Sequence, residues 1–274
     1  MTNVLGAFLM TLAAGLCTGI GSCAAFFAKK TNKKFLSVSL GFSAGVMIYV
    51  SLTELMQSAQ NYLTGAVGNT PGRWTAVLAF FGGIALIAVI DKLIPSGENP
   101  HEVKLVEAEQ VPAAAPKPNS KKLLRMGMMT AVAVGVHNFP EGMATFVSAL
   151  QAPSVAVPVV FAIAMHNIPE GIAVSVPVYQ ATGSKKKAFV YSFLSGLSEP
   201  VGALLGYLVL MPVMNDTVFG VLFAAVAGIM VFISFDELLP AAREYGEHHL
   251  SIYGLTGGMA VMAISLVGTS TMSF

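Results

Sequence analysis

"AGVMIYVSLTELMQSA" (residues 44–59) and "AGIMVFISFDELLPAA" (residues 227–242) align without a gap, with Ala, Gly, Met, Ser, Glu, Leu and Ala at matching places. Seven identities in sixteen exceed what two greasy segments share through composition alone. The neighbouring segments follow suit, because "GLCTGIG" (15–21) resembles "GLSEPVG" (196–202) at nearly the same offset. The two ends of this chain are therefore copies of each other, and the direction in which each copy runs decides the fold.

Direction follows from composition and charge. The 274 residues are 55% hydrophobic and 11% charged, less than half the roughly 25% charged share of soluble domains. A membrane span needs about 20 mainly apolar residues. Eight stretches qualify, at about 4–28, 35–57, 74–90, 126–149, 155–178, 188–210, 217–240 and 252–272. No basic, apolar leader with a small-residue cleavage site precedes the first, so it is expected to be retained. Cys17 and Cys23 lie within it as packing residues rather than a disulfide. If the loops alternate sides, 14 of the 15 basic residues fall on one side and Arg73 alone on the other. Basic loops stay in the cytoplasm, so both termini are expected outside the cytoplasmic membrane. Span two then runs outward and span seven inward. The expected fold is all-α and polytopic, with spans in a 3+2+3 arrangement whose outer triplets are inverted repeats, a feature of transporters. The polar stretch 91–125, with both charge signs and five prolines, is expected to be a flexible cytoplasmic linker within a single transmembrane domain.

The central pair carries the chemistry. "VGVHNFPEGMAT" (134–145) returns as "IAMHNIPEGIAV" (163–174). Ionisable groups in a bilayer cost at least about 2.5 kcal/mol each on insertion scales and survive where they face a partner or a pathway. On a helix His137 and Glu141 share a face, with Asn138 at its edge. His166, Asn167 and Glu170 repeat the pattern. Two imidazoles and two carboxylates converging from neighbouring helices suit a borderline divalent cation. Pro140 and Pro169 free the carbonyls of Val136 and Met165 beside it. His137, His166 and Glu199 share one depth, roughly 16 Å into their spans at 1.5 Å per residue, close to the bilayer middle.

Four further residues are candidates for the ion pathway. Glu54 and its repeat mate Glu237 fall late in spans two and seven, which predicts an outer and an inner mouth, although both also suit caps at helix ends. Asp236 adds a carboxylate on the cytoplasmic side, where the first copy has Thr53. Met47 could lend a thioether to the ion, but methionine in a membrane chain mostly packs. The pairs "GFSAG" (41–45) and "GALLG" (202–206) fit close helix contacts, within one chain or across a homodimer.

The paired H-N-x-P-E-G motifs, the eight spans and the linker after span three resemble the ZIP (Zrt/Irt-like) metal transporters, especially their bacterial zinc-uptake branch. The resemblance implies a two-metal site. His137, Glu141, His166 and Glu170 would surround one metal, while Asn138, Asn167 and Glu199 would take a second, with both glutamates as bridges. It departs from the family in two places: His101 is the linker's one histidine, and helix five lacks H-E-x-x-H. The expected function is import of Zn²⁺, with Fe²⁺, Mn²⁺, Co²⁺ and Cd²⁺ as further cargo. The ion is substrate, not cofactor, and the partners are the ion and the lipid bilayer, with no nucleic acid. The alternative is an intramembrane zinc metalloenzyme. A zincin uses a Glu beside its first His as base, and both copies here carry Asn at that position, which cannot take a proton.

Overall fold

The computed structural model describes residues 4–27, 33–93, 120–151, 153–245 and 248–271. Among them there is helix and no strand, as lipid demands, since only internal hydrogen bonding satisfies the backbone there. In order they are α1 (Val4–Phe27), α2 (Lys33–Val50), α3 (Met56–Val67), α4 (Asn69–Leu93), α5 (Ser120–Gln151) and α6 (Pro153–Thr182), followed by α7 (Lys185–Gly196), α8 (Ser198–Leu210), α9 (Asp216–Ile233), α10 (Leu239–Tyr245) and α11 (His248–Thr271). Seven helical paths among the described residues are long and apolar enough to cross a membrane. The helix carrying the first His-Asn motif, α5, of 32 residues, is not one of those seven. Of the expected linker, 94–119 lie outside the described residues, His101 among them.

Two paths are interrupted and continue. Between α2 and α3, Ser51–Leu55 form a π-helical turn, and between α9 and α10 Ser234–Leu238 form another. The sequences are SLTEL and SFDEL, at matching places in the repeat. The second path therefore runs on to Val67 rather than stopping near residue 57. Polar Gln57, Gln60 and Asn61 look like a loop in sequence. The buried stripe Leu55, Ala59 and Leu63, at a spacing of four, keeps the helix against α9. Glu54 and Glu237 thus sit in mid-path turns rather than at helix ends, which removes the capping role. Gly68, at φ +94°, ends this path in a conformation that costs glycine little, and α4 starts at the next residue.

Packing repeats the sequence symmetry. α2 lies on α11 as α9 lies on α4, and α1 on α6 as α8 on α5. Glycines let backbones touch at each crossing. Gly45 faces the Leu255 backbone and Gly258 that of Phe42; in the other half Gly228 faces Phe80 and Gly83 faces Ala225. At the centre Gly21 meets the Ile168 carbonyl and Gly202 the Phe139 carbonyl. Close contact through small residues is how helices associate where lipid removes the hydrophobic drive.

Candidate functional site

The two H-N-x-P-E-G segments lie on α5 and α6, which pack side by side. Neither proline breaks its helix, and α5 runs through Pro140 unbroken. Asn138, Glu141, His166, Asn167, Glu170 and Glu199 are all buried, at 1% exposure or less. The helices bring them together in pairs. The Nε2 of His166 lies 3.0 Å from Glu141 Oε2. Its Nδ1 lies 3.0 Å from the Ala162 carbonyl one turn back. Asn167 donates its amide to Glu199 Oε1 and to the Ala14 carbonyl, the latter at 2.9 Å. The Asn138 amide nitrogen is 3.5 Å from the Ser195 carbonyl. Turned by half a rotation, it donates instead to Glu170 Oε2 at 3.2 Å and to the Val134 carbonyl at 3.0 Å, the better satisfied orientation. The side chain of His137 lies outside the described residues, although its backbone is part of α5.

Proton positions follow from the partners. A carbonyl only accepts, so Nδ1 of His166 carries the hydrogen, and a neutral ring then points the Nε2 lone pair at a carboxylate oxygen. Two such acceptors at 3.0 Å need a positive species between them, a proton or a metal ion. Further in, Glu141 Oε1, Asn167 Oδ1 and Glu199 Oε2 have no hydrogen-bond partner among the described residues. Buried polar atoms are normally satisfied. These three are carboxyl and amide oxygens, whose lone pairs can serve a cation. Among the described residues no three His, Cys, Asp or Glu side chains form one compact ligand group; the arrangement is of pairs.

The other candidates lie on the flanking helices. Met47 is fully buried on α2, as is its repeat mate Met230 on α9. α2 reaches the site directly, because the Ser43 hydroxyl donates to the His166 carbonyl at 3.4 Å, and Met47, one turn on, shares that face. Glu54 is partly buried in the first π-turn, whereas in the second Asp236 is exposed and Glu237 buried. Sequence reasoning missed Ser43 and the carbonyls of Ala14 and Ala162, since a serine or alanine in an apolar helix carries no signal of its own.

Known proteins resemble this chain over its length. The sequence model described as "ZIP Zinc transporter" matches residues 95–266. The zinc transporter ZupT of Streptococcus mutans is 67% identical over 265 residues, covering 97% of this chain and 98% of that protein. The protein of the same name from Clostridium perfringens is 62% identical, covering 97% of each, and that of Lysinibacillus sphaericus 63%, covering 97% and 98%. A bilayer-spanning helical fold, a buried carboxylate–imidazole pair on its central helices and full-length identity at this level agree: the chain belongs to the ZIP zinc transporter family.

Proposed function

We propose that the chain imports Zn²⁺ across the cytoplasmic membrane, with its termini outside, and that Fe²⁺, Mn²⁺, Co²⁺ and Cd²⁺ are further cargo. The observation that carries this is the His166–Glu141 pair. It is fully buried, with an imidazole nitrogen 3.0 Å from a carboxyl oxygen, and a borderline cation satisfies both where only a proton otherwise does. His137, Glu141, His166 and Glu170 hold the first ion. Asn138, Asn167 and Glu199 hold a second, with Glu141 and Glu170 shared between them. Met47, Glu54, Asp236 and Glu237 line the approach and the exit. The family names of its relatives support zinc as cargo. The metalloenzyme reading has no base in the right place, since Asn138 and Asn167 follow the two histidines. Purified protein in liposomes loaded with a zinc-sensing dye tests the proposal: external Zn²⁺ is expected to raise the signal over protein-free liposomes, and a flat signal would refute it.

Two narrower outcomes are expected. The second ion has Glu199 as its one unshared carboxylate, beside weaker amide oxygens. Glu199→Ala should therefore leave measurable uptake with an altered rate or metal preference, whereas His137→Ala should not. Uptake of Zn²⁺ and Mn²⁺ at matched membrane expression compares them, and equal loss for every metal would reject the ranking. Single cysteines at positions 33, 110 and 186 should resist a membrane-impermeant thiol reagent in intact cells, while one at position 68 reacts. Labelling at 110 from outside would reverse the orientation.

A further inference from the structure

The repeat that relates α1 to α7 and α8 pairs Gly15 with Gly196, Thr18 with Glu199 and Gly21 with Gly202. The contacts obey the same pairing. Gly142 of α5 faces the Glu199 carbonyl as Gly171 of α6 faces the Thr18 carbonyl. Gly15 faces Cβ of Glu199, 3.4 Å from where its own Cβ would stand, and Gly196 faces Cβ and Oγ1 of Thr18 at 2.9 Å. Asn167 reaches the Ala14 carbonyl, and Asn138 approaches the carbonyl of Ser195, the repeat mate of Ala14. The Thr18 side chain stands against Gly196 of α7, at the repeat position of Glu199, whose carboxylate meets Asn167.

Its hydroxyl is unusual. Thr11, Thr53, Thr75, Thr145, Thr182 and Thr256 each donate to the carbonyl one turn back, the ordinary habit of threonine in a helix. The corresponding acceptor for Thr18 is the Ala14 carbonyl, which takes the Asn167 amide. Thr18 is fully buried and its Oγ1 has no hydrogen-bond partner among the described residues. A buried hydroxyl left so carries a desolvation cost that an isosteric valine would avoid, and a cation or its bound water removes that cost.

We propose that Thr18 is a specificity-determining residue of the transport site, supplying a neutral oxygen at the place where the other half of the repeat supplies the Glu199 carboxylate. The inference rests on the transport reading above. Oxygen donors weigh more for a hard ion such as Mn²⁺ than for Zn²⁺, which imidazole also holds. Substitution of Thr18 should therefore shift preference between the two.

Uptake of Mn²⁺ and Zn²⁺ into liposomes, and equilibrium binding of each to the purified protein, test it with Thr18→Val and Thr18→Ser. Thr18→Val preserves shape and removes the hydroxyl. Its Mn²⁺ affinity is expected to fall about tenfold, the low end for loss of a group supporting a metal site, while Zn²⁺ affinity changes much less. Thr18→Ser restores the hydroxyl and should restore the wild-type ratio. An unchanged ratio in Thr18→Val overturns the inference, as does a Thr18→Ser protein that behaves like the valine variant. Wild-type protein that moves neither metal would refute the transport reading instead, so the two failures are distinguishable.

Discussion

Glu141→Gln is expected to lower zinc uptake by about 100-fold or more while leaving the folded protein in the membrane. The variant separates charge from fit. The carboxylate faces Nε2 of His166 at 3.0 Å, and a glutamine amide can donate a hydrogen bond to that same lone pair, so the buried pair stays satisfied without a cation. What is lost is the negative oxygen a divalent ion needs to leave water. Disturbing even the groups behind a metal ligand costs 10- to 100-fold, and in the proposed site Glu141 touches the ion itself. Glu141→Ala should be equally inactive but less stable, because it also removes the hydrogen bond between Glu141 Oε2 and His166 and opens a cavity in the packed centre. Dye-loaded liposomes at matched reconstitution give the rate, and size-exclusion profiles the fold. A Glu141→Gln protein within tenfold of wild type would remove Glu141 from the cargo site.

The second large effect falls on the glycine crossings. Gly83→Ala should destabilise the protein strongly, whereas Gly82→Ala should be nearly silent. A Cβ at Gly83 would run into the Ala225 carbonyl of α9, while one at Gly82 meets nothing within 4 Å. The other half offers the same contrast, Gly258 against the Phe42 carbonyl and Gly257 open. Forcing a methyl into a packed contact typically costs about 1–3 kcal/mol, and here the obstacle is backbone, which yields less readily than a side chain. Thermal unfolding in detergent should show both members of each pair in the stated order. Equal midpoints for Gly82→Ala and Gly83→Ala would mean that α4 and α9 are not in contact as described.

These glycines also show what a sequence reveals and what it hides. "GG" occurs at both 82–83 and 257–258, yet which member faces a neighbour depends on helix rotation, which apolar runs on lipid-exposed helices do not record. The membrane class, the inverted copies and the central His-Asn pair of motifs were legible because each rests on charge or on repetition. The π-turns were not: an extra residue in a turn changes no composition, and Ser51–Leu55 differs from an α-helix only in hydrogen-bond pattern. The continuation of the second path to Val67 was hidden for a related reason. Its polar residues hold an apolar stripe too narrow to raise the average. Thr18, inside "GLCTGIG", reads in sequence as a packing residue, and only its burial and repeat position beside Glu199 distinguish it.

The two π-turns make the chain sensitive to changes in length within Ser51–Leu55 and Ser234–Leu238. Removing one residue from Ser51–Leu55 would restore an α-helical turn and rotate everything beyond it by about 100°. Ala59 and Leu63, fully buried against α9, would then swing toward lipid or solvent, and the hairpin through Gly68 would carry that rotation into α4. The corresponding deletion in Ser234–Leu238 would misalign α10 against α2. Insertions and deletions among relatives should therefore be absent from these two five-residue windows and gather between residues 94 and 119, so that the spacing from Met47 to Leu63 serves as a ruler by which a distant member of this architecture could be aligned.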